Sequence, residues 1–302
     1  MEKNVLHYFV DTNSSRGFVS FWESNFGKLE KVVKLDGYPD LLVTQLVSQA
    51  CAQALGCEQE VELVHNCLDN SLQGIILPGQ KTGLLNLPAY GDESYSLRLA
   101  EDENLSKVRE RVQRAYGCFG QALKIHDDWE RIFISSMDFE AMDELAEETA
   151  EKLFGGQKTD RAGSCADRFF GAATVNGSYD YIPNITQEIP KRYFLKGRPG
   201  TGKSTFLKML ARAAQDRGYR TEAYHCAFDP NSLDMIAVRE LGLCVFDSTA
   251  PHEYFPDRDS DEIIDIYKAA VQPGTDEKYE KEIAGYSAGY KAKVREATGY
   301  LG

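Results

Sequence analysis

Several kinds of segment are missing from this 302-residue chain, and each absence removes a class of protein. No window approaches the run of about 18 apolar residues that a transmembrane helix needs, and the opening MEKNVLHYFVDTNSSRG has no apolar core of a secretory signal. Seven cysteines, at 51, 57, 67, 118, 165, 226 and 244, form no C-x-x-C pair and are odd in number. That pattern suits buried thiols in a reducing compartment and speaks against a disulfide framework or a zinc site. Lys and Arg number 34 against 47 Asp and Glu, so a large basic surface for nucleic acid is lacking too. These absences lead us to expect a soluble, cytoplasmic protein with no membrane partner, long enough for two domains with real cores.

What is present centres on Lys191 to Thr205, KRYFLKGRPGTGKST, which reads as a strand, a glycine-rich turn and a helix start. Gly197, Arg198, Pro199, Gly200, Thr201, Gly202, Lys203 and Ser204 fit the Walker A pattern G-x-x-x-x-G-K-[ST] without a mismatch, and Thr205 follows inside the helix. Glycines let backbone N–H groups turn inward as an anion nest, Lys203 supplies a charge for phosphates, and the Ser204 hydroxyl suits Mg²⁺. The helix opening there adds its positive end. The expected ligand is ATP or another NTP, with Mg²⁺ as cofactor. Charge is unevenly placed: residues 1–160 carry −12 and residues 161–302 only −1. Residues 191–220 hold nine basic side chains against Asp216, a solvated helix face or a positive field suited to a polyphosphate.

The chain also repeats itself. Shifted by 160, Lys31, Leu35, Gly37 and Pro39 fall on Lys191, Leu195, Gly197 and Pro199, and Phe9, Gly17, Glu62, His65 and Asp69 on Phe169, Gly177, Glu222, His225 and Asp229. The expected fold is α/β, with two homologous P-loop NTPase-type units, 1–155 and 156–302, divided in the stretch Gly155 to Ala166. Strands near 192–196, 221–227 and 241–247, joined by helical patterns, predict mainly parallel sheets flanked by helices. In the first unit Asp40, Leu42 and Val43 stand where Gly200, Gly202 and Lys203 would be, and only Thr44 keeps the hydroxyl of Ser204. That turn is expected not to bind nucleotide, leaving a surface for a second copy or a protein partner. Residues 121–154 have no counterpart after Gly302, so the second unit is expected to be C-terminally incomplete, unless the stretch from Asp259 to Glu280 closes it differently.

Three further groups of residues bear on chemistry. Leu241 to Asp247 is an apolar strand ending in an acid, the form that holds Mg²⁺ through water in P-loop NTPases, although a turn-capping Asp looks the same. His252 follows on the next loop, where it could order a water or sense a phosphate. Lys203, Asp247 and His252 are therefore the catalytic candidates, with Ser204 and Asp247 as metal ligands. His225, Asp229, Ser232 and Asp234 follow the second strand and face the same crevice; the match of the first two with His65 and Asp69 gives them a structural share. His126 and Glu130, four residues apart, could ligate a metal, but two ligands without a third read as a solvated helix face.

On Arg168 to Ala172, Leu195 to Thr205, His225 to Asp234, Asp247 to His252 and Ala122 to Glu130, the sequence resembles a bacterial family of uncharacterised tandem P-loop ATPase-like proteins. The resemblance covers nearly the whole chain and implies a duplicated NTPase architecture. In such proteins the first repeat can also carry an intact phosphate loop, and here it does not. The functions compatible with these readings are an ATPase or ATP-dependent switch, a small-molecule kinase on the same loop, and a nucleotide-binding scaffold without turnover.

Overall fold

The computed structural model describes residues 4–35, 38–87, 103–156, 158–250 and 252–302. Gly37, the expected match of Gly197, lies outside the described residues, as does Pro251 before His252. Two compact units are built from interleaved segments. Unit 1 takes Met1–Phe119, Asp167–Gln187 and Arg295–Gly302, and unit 2 takes Gly120–Ala166 and Glu188–Val294.

In chain order the elements of the first half are β1 (Val5–Phe9), β2 (Asp11–Ser14), β3 (Gly17–Ser20), α1 (Trp22–Phe26), β4 (Lys31–Lys34), α2 (Asp40–Gly56), β5 (Val61–His65), β6 (Leu72–Leu77), β7 (Thr82–Leu85), α3 (Glu103–Ile134) and α4 (Phe139–Phe154). The second half runs through β8 (Ser164–Phe169), β9 (Gly171–Thr174), β10 (Gly177–Asp180), α5 (Ile182–Thr186), β11 (Lys191–Lys196), α6 (Lys203–Asp216), β12 (Arg220–His225), β13 (Leu233–Val238) and β14 (Leu243–Asp247). It then adds β15 (Glu262–Asp265), α7 (Ile266–Ala270), α8 (Thr275–Lys278) and α9 (Glu280–Leu301).

Four matched strands keep one order in both units: β4-β7-β6-β5 in unit 1, with β1 added beside β5, and β11-β14-β13-β12 in unit 2, with β15 added beside β11. β4 and β7 run parallel, as do β11 and β14, while β6 and β13 are antiparallel to both of their neighbours. The sheets are therefore mixed, which corrects the expectation of helical connections throughout. Residues 233–238 are a strand because Leu233, Met235, Ile236, Ala237 and Val238 are buried between two neighbouring strands, where a short apolar run has no need of helical periodicity.

Unit 2 carries one large core. Tyr193, Leu195, Ile236, Val238, Leu243 and Val245 present alternate strand positions to Phe206, Leu207, Leu210, Ala211 and Ala214 of α6. Met142, Ala146 and Phe154 of α4 complete this core, so the apolar stripe of α4, expected within 1–155, covers α6 in unit 2. The Asp138 carboxylate caps α4 by accepting from the Ala141 N–H at 3.1 Å. The stretch after Asp259 joins the same unit. β15 adds parallel to β11, and the Asp138 N–H donates to Ala270 O at 2.8 Å.

Candidate functional site

The turn between β11 and α6 is held open by close backbone approaches. Gly197 is buried, and a Cβ there would lie 2.5 Å from Thr201 Oγ1. Gly200 has φ +78°, and a Cβ there would lie 2.4 Å from the carbonyl oxygen of Glu130 on α3. At Gly200 a side chain would need the backbone to shift, and at Gly197 it would displace the Thr201 hydroxyl. Gly202, with φ +79°, is the N-cap of α6. Buried Thr201 ties the turn: its hydroxyl donates to Arg198 O at 2.8 Å and accepts from the Arg198 N–H at 3.2 Å. Pro199 is half-buried and Thr205 exposed, while the Arg198 guanidinium reaches outward to Asp276 at 2.9 Å.

Lys203 opens α6 with its ammonium inside this turn, donating to Arg198 O at 3.0 Å and lying 3.6 Å from Asp247 Oδ2. Asp247 divides its oxygens between two tasks. Oδ1 accepts from the Thr249 N–H (3.1 Å) and hydroxyl (2.6 Å), capping the turn, while Oδ2 faces Lys203. The Ser204 hydroxyl oxygen accepts from the Leu233 N–H at 2.9 Å and still has its proton and a second lone pair. Ser204 Oγ and Asp247 Oδ2 are hard oxygen donors beside one turn, a set that fits Mg²⁺.

One further acid belongs here. Register pairs Met235 with Phe246, so Asp234, one residue before, stands beside Asp247, one residue after. Burial, and then the Asp247 charge, push the Asp234 carboxyl up to about 6, against a hydrogen bond with Cys226 and the charges of His252 and Lys203. The structure thus gathers Lys203, Asp247, His252 and Asp234. The sequence signal for Asp234 was a single acid opening an apolar run, which resembles a loop residue until β13 is recognised as a strand.

The α3 side differs from its expected reading. His126, Asp127 and Glu130 each offer a ligand atom within 4.8 Å of the other two, and His126 and Glu130 are half-buried, so this is not a solvated helix face. Burial, then Lys203, hold His126 below its usual pKa; burial, then Asp127, raise Glu130, which a hydrogen bond from the Gly200 amide partly opposes. By contrast, the matched histidines build loops. His225 Nδ1 donates to Pro230 O at 2.8 Å, and His65 Nδ1 to Asn70 O at 3.0 Å. Asp229 and Asp69 accept N–H groups two residues on.

Six of the nine basic residues of 191–220 face acids, while Lys208, Arg212 and Arg220 are exposed. Lys191 pairs with Glu262, Arg192 with Asp257 and Asp261, Lys196 with Glu253, Arg198 with Asp276, Lys203 with Asp247 and Arg217 with Glu151. In unit 1, α2 begins at Asp40, so helix occupies positions 40–42, which match the loop residues 200–202. Asn86, in the place of Asp247, donates to Asp40 Oδ1 at 3.2 Å; Val43, in the place of Lys203, is buried in the core; and Thr44 Oγ1 donates to Leu72 O at 3.2 Å.

No family model, curated protein or solved structure matches this chain. Among the described residues no helix is long and apolar enough to cross a membrane.

Proposed function

We propose that unit 2 binds Mg-ATP, or another NTP, in the β11–α6 turn and acts as an ATPase or ATP-dependent switch, within a chain formed by duplication of one P-loop NTPase-type module. The observation that carries the reading is the turn itself: Gly200 and Gly202 are left-handed, Gly197 is buried, and the Lys203 ammonium lies inside the turn at the start of α6. Ser204 and Asp247 would hold Mg²⁺, which supplies neutralisation of phosphate charge when bound. Lys203 exchanges its contact with Asp247 for phosphate. Asp234, with its raised pKa, can take a proton from an attacking water, and His252 beside it can orient that water. The β4–α2 turn contributes no nucleotide site, which sets the stoichiometry at one per chain.

A second reading, phosphoryl transfer to a small molecule, is favoured by the rings of His126, Phe228 and Tyr290, which form a partly exposed aromatic cluster near the acids of α3. Incubation with labelled ATP and GTP tests both. Basal hydrolysis supports the first, acceptor-dependent turnover the second, and binding without turnover leaves a nucleotide-holding scaffold. A calorimetric titration with no nucleotide bound overturns the proposal.

A further inference from the structure

His126, Asp127 and Glu130 lie on one turn of α3, and that turn is seated on the glycine-rich loop. The Glu130 carbonyl oxygen lies where a Cβ on Gly200 would be, 2.4 Å away, which fixes the helix backbone against the loop. His126 Nδ1 and Glu130 Oε1 face each other at 3.6 Å, too long for a hydrogen bond and close to the spacing of two ligands on one ion. With metal–ligand distances of about 2.0–2.2 Å, neighbouring ligand atoms stand roughly 3–3.5 Å apart. The Asp127 carboxylate closes the triangle within 4.8 Å. Asp229, on the connection between β12 and β13, adds a further negative charge felt by both His126 and Glu130. The His126 ring is steadied by Phe228 and Tyr290 at 6.2 and 5.5 Å between centroids.

We propose that His126, Asp127 and Glu130 bind a divalent transition-metal ion of the Mn²⁺, Co²⁺ or Zn²⁺ class, separate from the Mg²⁺ expected on Ser204 and Asp247. One imidazole with two carboxylates is a donor set for these ions; Mg²⁺ and Ca²⁺ select oxygen alone. The ion also answers an electrostatic conflict. Three carboxylates, Asp127, Glu130 and Asp229, surround a turn whose ligand would be a polyanion, and a cation between them turns that repulsion into attraction. This last step rests on the nucleotide reading; the metal site does not.

The test uses the full chain, stripped with chelator, titrated with Co²⁺ alone and followed by visible absorption. One saturable site is expected, with an absorption band that Mg²⁺ in excess does not displace. Asp127→Asn, at an exposed position, and Glu130→Gln should each weaken Co²⁺ at least 10-fold, with unchanged melting of the metal-free protein. Ser204→Ala should leave Co²⁺ affinity as it is. Absence of saturable binding, or wild-type affinity in both Asp127→Asn and Glu130→Gln, overturns the metal site. Loss of ATP binding with Co²⁺ binding retained overturns only the nucleotide reading.

Discussion

The two strand-to-helix turns, β11–α6 and β4–α2, start from matching sequence and end as different objects. Both lead into a helix N-terminus, so both offer the positive end of a helix dipole. Among the described residues, only the first has left-handed glycines and a lysine directed into the turn. In the second, α2 reaches back to Asp40, converting the residues that would form the nest into helical ones, and the lysine position is a buried valine. A helix dipole by itself is therefore weak grounds for a phosphate site; inward amides and a cation have to accompany it.

The sharpest way to break this comparison is to put a methyl group on each turn. Gly200→Ala forces a left-handed alanine and drives its Cβ into the backbone of Glu130, so unit 2 should lose about 3 kcal/mol and with it nucleotide binding. The matched substitution, Asp40→Ala, meets no such wall and should change stability by less than about 1 kcal/mol. Calorimetric melts of the two variants check this, and equal effects would erase the distinction.

Next in size is Lys203→Ala, expected to weaken Mg-ATP at least 100-fold, or about 2.7 kcal/mol, without altering the melting of the nucleotide-free protein. Val43→Lys in the other turn should create no second site, because helical residues 40–42 still lack the inward amides. Isothermal titration reads both affinity and stoichiometry. Binding retained in Lys203→Ala, or two nucleotides per wild-type chain, would contradict the assignment.

Legibility followed the range of the signal. β11, its turn and α6 were readable because glycine spacing, an apolar β run and a helical stripe are all local to residues 191–214. β13 was not. Leu233 to Val238 is a six-residue run, apolar except for Asp234, whose identity comes from the strands on either side, and treating it as a connection also hid the pairing of Asp234 with Asp247. The stripe of α4 was visible as a stripe, yet its partner, α6, lies about sixty residues away in sequence, and no local pattern names a partner. The i, i+4 spacing of His126 and Glu130 was equally plain; what it lacked was the burial and the third ligand that only tertiary packing supplies.

A smaller contrast concerns Asp11, at the position matching Gly171. Gly171 must stay glycine, since a Cβ there would lie 2.6 Å from Tyr179 O, whereas Asp11 buries a whole carboxyl. Gln73 donates to Asp11 Oδ2 at 2.8 Å, while Gln73 Oε1 and Ser20 Oγ are buried without a partner. Burial pushes Asp11 up to about 6, against hydrogen bonds from Gln73 and Cys67. A raised folded pKa means the native state prefers the proton. The penalty is absent below the unfolded value of 3.8, grows as pH rises, and is complete above about 6. Asp11→Asn removes the charge and adds a donor among these acceptors, so it should stabilise unit 1 by roughly 1–2 kcal/mol at pH 7.5 and leave it unchanged near pH 3.5. Melting curves across that range decide; a gain that is independent of pH would mean the charge is not the cause.

The smallest expected effect returns to the second turn and asks whether its acid helps or hinders its own helix. Asp40 lies in the first turn of α2, where an anion gains about 0.3–1 kcal/mol from the helix dipole. Against this stand half-burial and the nearby Asp69, which raise its pKa even though Asn86 donates to Oδ1. Because the net shift is upward, desolvation and Asp69 together outweigh the Asn86 hydrogen bond, and the charged form costs more in the folded than in the unfolded chain. Asp40→Asn keeps an acceptor for Asn86 and removes the charge. It should therefore raise the melting temperature slightly at neutral pH, by less than Asp11→Asn does, with the gain fading as pH falls toward the carboxylate's unfolded value and gone below it. A melting temperature lowered at neutral pH would show that the dipole wins and that unit 1 has turned an anion-accepting helix end into an internally capped one.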